Sequence, residues 1–296
     1  MGVFMNTKFI FIILFLSKSL LWGADDLVFA KGSQWEVLSV GHKYAEGMAW
    51  DSEGNFYFTD VPRSQLFKID RESNQKTLVV ADTGVANGIA FGPDGRLYGC
   101  ARDAIASWNT STWEAKVHGV GAHSNDLAIL DDGTLFYTDP KTHSIWRLDG
   151  KSKKRSLALS LKFRPNGLTL SPDKKTLLVA AFFADTIYAF PINDFGKVED
   201  EAEVAYVLAT PSNGRGLLDG MQVLPNGKLV AGTALGIQIV EPHSKDKRGS
   251  IILIPSPVQD SRCNYVRISP DGKWLYGCFV KEVRRRRIEL KLTSKE

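Results

Sequence analysis

The chain has only three cysteines in 296 residues, Cys100, Cys263 and Cys278, and no CxxC pair. That excludes a disulfide-built scaffold and a cysteine-ligated zinc ribbon, and an odd number leaves at least one thiol unpaired. The five histidines are scattered along the sequence and none sits in an HExxH motif. A GxSxG nucleophile elbow and a phosphate-binding P-loop are both missing. Gly119-Val120-Gly121 lacks the third glycine and the following helix of a dinucleotide loop. The body of the chain shows no sustained 3.6-residue apolar period, so helices should be scarce. No apolar run approaches the roughly 20 residues that a membrane span needs. A formal charge of +4, spread along the chain, gives no reason to expect nucleic acid or an acidic surface as partner.

The N-terminus reads separately from the rest. Lys8 precedes an apolar run from Phe9 to Leu16, and Leu20, Leu21 and Trp22 lead to the small residues Gly23 and Ala24. This pattern is that of a secretory signal over residues 1–24, with export to the periplasm or the medium; an uncleaved anchor is the alternative. Residues 25–296 are then expected to form one domain, because they share one repeat.

The repeat joins a polar residue and a small step to a strand, a tight turn and a second strand. Its six copies are EGMAWDSEGNFYFTD from Glu46, NGIAFGPDGRLYGCA from Asn87, NDLAILDDGTLFYTD from Asn125, NGLTLSPDKKTLLVA from Asn166, DGMQVLPNGKLVAGT from Asp219 and NYVRISPDGKWLYGC from Asn264. Their starts are 41, 38, 41, 53 and 45 residues apart, and each interval holds two more strand-like runs. Four short strands per 40–50 residues indicate an all-β, six-bladed β-propeller with four-stranded blades. Five of the turns end in glycine, as a tight hairpin demands, whereas the fourth reads Asp173-Lys174-Lys175 and should differ slightly. Blade six runs short of sequence, so Trp35 to Val40 is expected to supply its outer strand and close the ring. Asn193 to Glu203 reads as a surface loop. Cys263 and Cys278 flank the blade-six turn, which is compatible with a disulfide or with two buried thiols. On a strand, Arg284 to Arg287 should divide two and two between the faces. Asn109-Thr110-Ser111 matches a glycosylation sequon.

In a propeller the first strands line a central channel and run the same way, so the six opening residues should meet at one mouth. Glu46, Asn87, Asn125, Asn166, Asp219 and Asn264 all carry a carbonyl or carboxylate oxygen. Any one Asn or Asp can open a strand as a simple turn former. All six, with Glu46 among them, suit a hard cation, most simply Ca²⁺; zinc would prefer His or Cys, and neither opens a blade.

At EGMAW, SNDLAI with LFYTDP, RPNGLTLSPD, and LLDGMQV with PNGKLVAG, the chain resembles the gluconolactonase, senescence-marker-protein (regucalcin) and lactonase family of six-bladed propellers. The resemblance implies a metal held by Glu46, Asn125, Asn166 and Asp219, and Asp219 as the catalytic base or the group that activates the nucleophile. It implies hydrolysis of a small sugar-type lactone with one divalent cation, Ca²⁺ before Zn²⁺, Mn²⁺ or Mg²⁺. Asn87, Asn125 and His123 are the expected substrate contacts, His123 standing where sugar-acid lactonases often carry an arginine. The expected partner is a small molecule, bound by a monomer without nucleic acid or membrane. The rival readings are a metal-stabilised binding propeller without turnover and a related aryl-ester or phosphotriester hydrolase.

Overall fold

The second strand of each repeat is apolar almost throughout, as in FYFTD, LFYTD and TLLVAA, and such a strand needs cover on both faces. The computed structural model, which describes residues 28–121, 123–245 and 249–289, supplies that cover by stacking blades face to face. The expected signal, residues 1–24, lies outside the described residues. Six antiparallel sheets form the molecule, and the described residues hold one short 3-10 turn, Val61–Arg63, and no α-helix. No helix among them is long and apolar enough to cross a membrane.

The first strands are Ala45–Trp50, Ile89–Phe91, Leu127–Ile129, Pro165–Leu170, Met221–Val223 and Tyr265–Ile268. Each touches the next in order and the last touches the first, which closes the ring of six. The second strands, such as Phe56–Asp60 and Leu135–Asp139, are buried along their whole length, while an outer strand such as Lys76–Val80 is largely exposed. The apolar core therefore lies in slabs between neighbouring blades. One slab joins Val230 and Ile237 of blade five to Val266 and Leu275 of blade six.

Blade six closes as expected. Glu36–Val40 pairs antiparallel with Glu282–Glu289, and Val28–Phe29 pairs with the far end of the same strand. Trp35 packs edge-on to Phe279 at 5.4 Å and to Phe29 at 6.1 Å. The arginine run divides between the faces: Arg285 lies over the Trp274 ring at 4.3 Å, and Arg286 over the Phe29 ring at 3.6 Å. A buried chain of contacts then pins the passage into blade one. Ser39 Oγ is 2.6 Å from His42 Nε2, and His42 Nδ1 is 3.2 Å from Asp60 Oδ2. Asp60 also accepts from the backbone N–H groups of Lys43 and Tyr44. The order Ser–His–Asp matches a nucleophilic triad, but Ser39 is 5% exposed and already accepts from Lys76, so it serves as a latch.

The cysteines are three buried free thiols. The blade-six register sets Cys278 opposite Tyr265, two residues past Cys263, so the two sulfurs are not partners. Between Asn193 and Glu203 runs a turn held by the Asn193 side chain, before the outer strand Glu203–Val207.

The hairpins share one geometry. Gly54, Gly95, Gly133, Gly227 and Gly272 take φ between 69° and 86°, and each donates its N–H to the residue three back. Lys174 makes the same bond with φ 58°, so blade four keeps the turn despite lacking the glycine. Left-handed backbone costs an L-residue roughly 1–2 kcal/mol, whereas glycine costs roughly 0.5–1 kcal/mol in unfolded-state entropy. In an Asp131→Ala background, which removes the ion pair between Lys174 and Asp131, Lys174→Gly should therefore stabilise the protein by about 0.5 kcal/mol, read as a melting temperature about 1–2 °C higher; an unchanged or lower value would contradict the turn geometry. Removing residues 28–40 should bare the edge of Glu282–Glu289. Loss of about 4 kcal/mol of packing should lower the melting temperature by roughly 10 °C, with aggregation visible by light scattering.

Candidate active site

Because the inner strands start in register, each opener is flanked by two rings of positions. The next residues are Gly47, Gly88, Asp126, Gly167, Gly220 and Tyr265. The four glycines allow close approach of neighbouring strands. A Cβ on Gly167 would stand 2.1 Å from the Asp219 carbonyl oxygen, and one on Gly220 would stand 2.2 Å from the Tyr265 ring. The two larger members of this ring fill the channel instead. Tyr265 Oη donates to Asp126 Oδ1 across 3.0 Å, and Asp126 also accepts from the N–H groups of Leu127 and Leu168. This pair, with Arg267 donating to Tyr265 Oη at 3.3 Å, is a polar floor under the openers.

Above the floor opens a cavity of about 150 Å³ lined by Glu46, Asn87, Asn125, Asn166 and Asp219. Five of the six openers thus converge. Asn264 does not join them: its amide nitrogen donates to the Ala45 carbonyl and its Oδ1 accepts from Val280, so it ties blade six to blade one. His123 does not line the cavity either. It stands at the rim, its Nε2 2.9 Å from Lys141 Nζ and its Nδ1 3.9 Å from Asp103. A larger cleft, about 390 Å³, lies beside the hairpin turns of blades one and six, between Trp50, Arg71, Trp274 and Arg285, away from the converging openers.

The electrostatics of the small cavity are demanding. Glu46 and Asp219 are 2% and 5% exposed, so both carboxylates are largely out of water. Burial, with Asp219 close by, holds the Glu46 carboxyl well above its ordinary range. Burial pushes Asp219 up to about 7, with the Arg262 guanidinium pulling the other way and Asp126 adding to the rise. Arg262 Nη2 is 3.3 Å from Asp219 Oδ2 and also donates to Tyr44 Oη. One guanidinium therefore faces two carboxylates. Asn166 bonds Asp219 through its side chain, yet its Oδ1 is buried with no partner among the described residues. An orphaned amide oxygen beside two carboxylates costs free energy unless a cation, a water or another donor completes it. Two carboxylates and several amide oxygens, with no His or Cys in the lining, form a hard donor set that fits Ca²⁺, Mg²⁺ or Mn²⁺. No three His, Cys, Asp or Glu side chains gather among the described residues, so a cation here would depend on the amide oxygens of Asn125 and Asn166.

The family model described as the SMP-30/Gluconolactonase/LRE-like region matches residues 44–276. The chain belongs to this family. A gluconolactonase of Zymomonas mobilis is 25% identical, the match covering 71% of this chain and 70% of that protein. Among solved structures, a gluconolactonase of Xanthomonas campestris superposes with a TM-score of 0.75 at 21% identity, over 90% of this chain and 95% of the other. Regucalcin of Agrobacterium tumefaciens, described as a calcium-binding protein, gives 0.70 at 18% identity, over 89% and 95%. At those identities the two structures attest the fold.

Sequence reasoning missed Tyr44, Arg164 and Arg262, which line the cavity with Phe182. The signal was available: all three lie two residues before an opener, and a strand returns to the same face every second residue. Asp126 and Tyr265 were likewise legible as the breaks in the glycine ring. A methyl group at Gly167 must displace the Asp219 backbone. Gly167→Ala should destabilise by about 1–3 kcal/mol, the usual cost of overpacking, and perturb the cavity. A melting temperature equal to the parent's would contradict the close approach of blades four and five.

Proposed function

We propose that this protein is a lactonase that opens a small lactone with one divalent cation, most simply Ca²⁺, held by Glu46, Asn125, Asn166 and Asp219. The observation that carries the reading is the unpartnered Asn166 Oδ1 buried beside two carboxylates at the hub. Family membership and the gluconolactonase relative support the lactone as substrate. A bound divalent cation would supply Lewis-acid polarisation of the ester carbonyl and stabilise the developing oxyanion.

The protein's own residues supply the rest. Asp219 takes a proton from the attacking water; burial raises its carboxyl and a bound cation would draw it back down. The water oxygen bonds the carbonyl carbon, the ring C–O bond breaks, and the leaving oxygen recovers a proton as the hydroxy acid forms. Arg262 holds Asp219 in place through Oδ2. Asn87 and Asn125 present amides to the substrate at the cavity wall. His123, at the rim beside Lys141, acts outside the chemistry. The basic and apolar N-terminal segment supports work outside the cytoplasm.

A pH-stat assay of lactone hydrolysis, before and after chelation and with calcium, magnesium, manganese or zinc added back, tests this reading. Chelation should remove activity and one of the ions should restore it. Asp219→Asn should lower kcat by about 10²-fold or more while the protein stays folded. Undiminished hydrolysis after chelation refutes the cation; no hydrolysis with any ion leaves a binding propeller.

A further inference from the structure

The cavity wall contributed by blades four and six is built differently from the rest. Arg262 and Arg164 both stand against Phe182, their guanidinium carbons 5.7 and 5.4 Å from the ring centre. Phe183 extends the platform, with Arg164 at 5.5 Å and Arg215 at 5.6 Å. An aromatic face positions a guanidinium through its plane and leaves its N–H edges unused, whereas a carboxylate would consume them. The consequence is visible here. Arg164 and Arg215 are exposed and make no ion pair or side-chain hydrogen bond among the described residues. Arg262 Nη1 has no partner although Nη2 is engaged.

We propose that the natural substrate is anionic: a lactone bearing a second acidic group, carboxylate or phosphate, which seats against Arg164 and Arg262 along the Phe182 wall. The assignment of a lactone rests on the function proposed above; the anion site rests on the guanidinium geometry alone. A neutral sugar lactone presents hydroxyl groups that must both donate and accept, and this wall offers donors and aromatic faces without acceptors. An acidic group satisfies several N–H edges at once, and planar guanidinium matches carboxylate and phosphate in a bidentate manner. Lys141, beside His123 in blade three, adds to the attraction for an anion approaching the mouth.

Initial rates should be compared for a neutral aldonolactone, an aldarolactone with a free carboxylate and a phosphorylated aldonolactone, all at one ionic strength. At least one anionic lactone should show kcat/KM about 10-fold or more above the neutral one, carried by KM and shrinking with added salt. In Arg164→Met the rates on anionic and neutral lactones should converge. In parallel, calorimetry with the open-chain aldarate dianion and a neutral alditol should show aldarate binding about 10-fold tighter or more, with the difference lost in Arg164→Met. Which anionic lactone wins decides between carboxylate and phosphate. A neutral lactone preferred or equalled, or aldarate bound no tighter than alditol, overturns the proposal. If no lactone is hydrolysed, the lactonase reading fails while calorimetry still decides the anion site.

Discussion

Two carboxylates, Glu46 and Asp219, are held in one small cavity, with the Arg262 guanidinium paired to Asp219. Burying like charges is unfavourable, and folding tolerates it only where the surroundings over-determine their positions. Here they do. Glu46 and Asp219 stand on the inner edges of blades one and five, each of which is paired within its sheet and packed between neighbouring blades.

Close packing at the hub makes this possible. Glycines after four openers let adjacent strands approach, and Asp126 and Tyr265 then span the space that glycine leaves. The same step that stacks the blades places the openers in one plane above a polar floor and the preceding residues in another at the rim. Fold and site are one arrangement: the alternation that buries the apolar slabs also aims polar residues at the axis. Closure by Glu36–Val40 and the Ser39–His42–Asp60 latch protect that register where the ring begins and ends.

The architecture was legible because it repeats. Six copies of one strand–turn–strand unit announce a closed ring, and even the missing outer strand of blade six was found by counting. The four residues expected to hold a metal occupy the same place in their copies of the repeat, and they all line the cavity. What depends on how one blade meets another was harder to read. Asn264 looks like every other opener in sequence, but blade one stands close enough to engage its amide. Arg262 looks like an isolated basic residue until Tyr44 and Asp219 are seen around it. His123, in a position suggesting substrate contact, is engaged by Lys141 and Asp103, contacts spread over 38 residues of chain. Such contacts follow from blade-to-blade spacing, which no single repeat encodes.

The central claim is that the hub is a single hard-cation site completed by amide oxygens. Calorimetric titration of the metal-free chain with calcium tests it most directly, with Glu46→Gln and Asn166→Leu as comparisons. One ion per chain, bound exothermically or endothermically but saturably by the parent and far more weakly by both variants, is the expected result. Equal binding by parent and Asn166→Leu, or no saturable binding of calcium, magnesium or manganese by the parent, would contradict it.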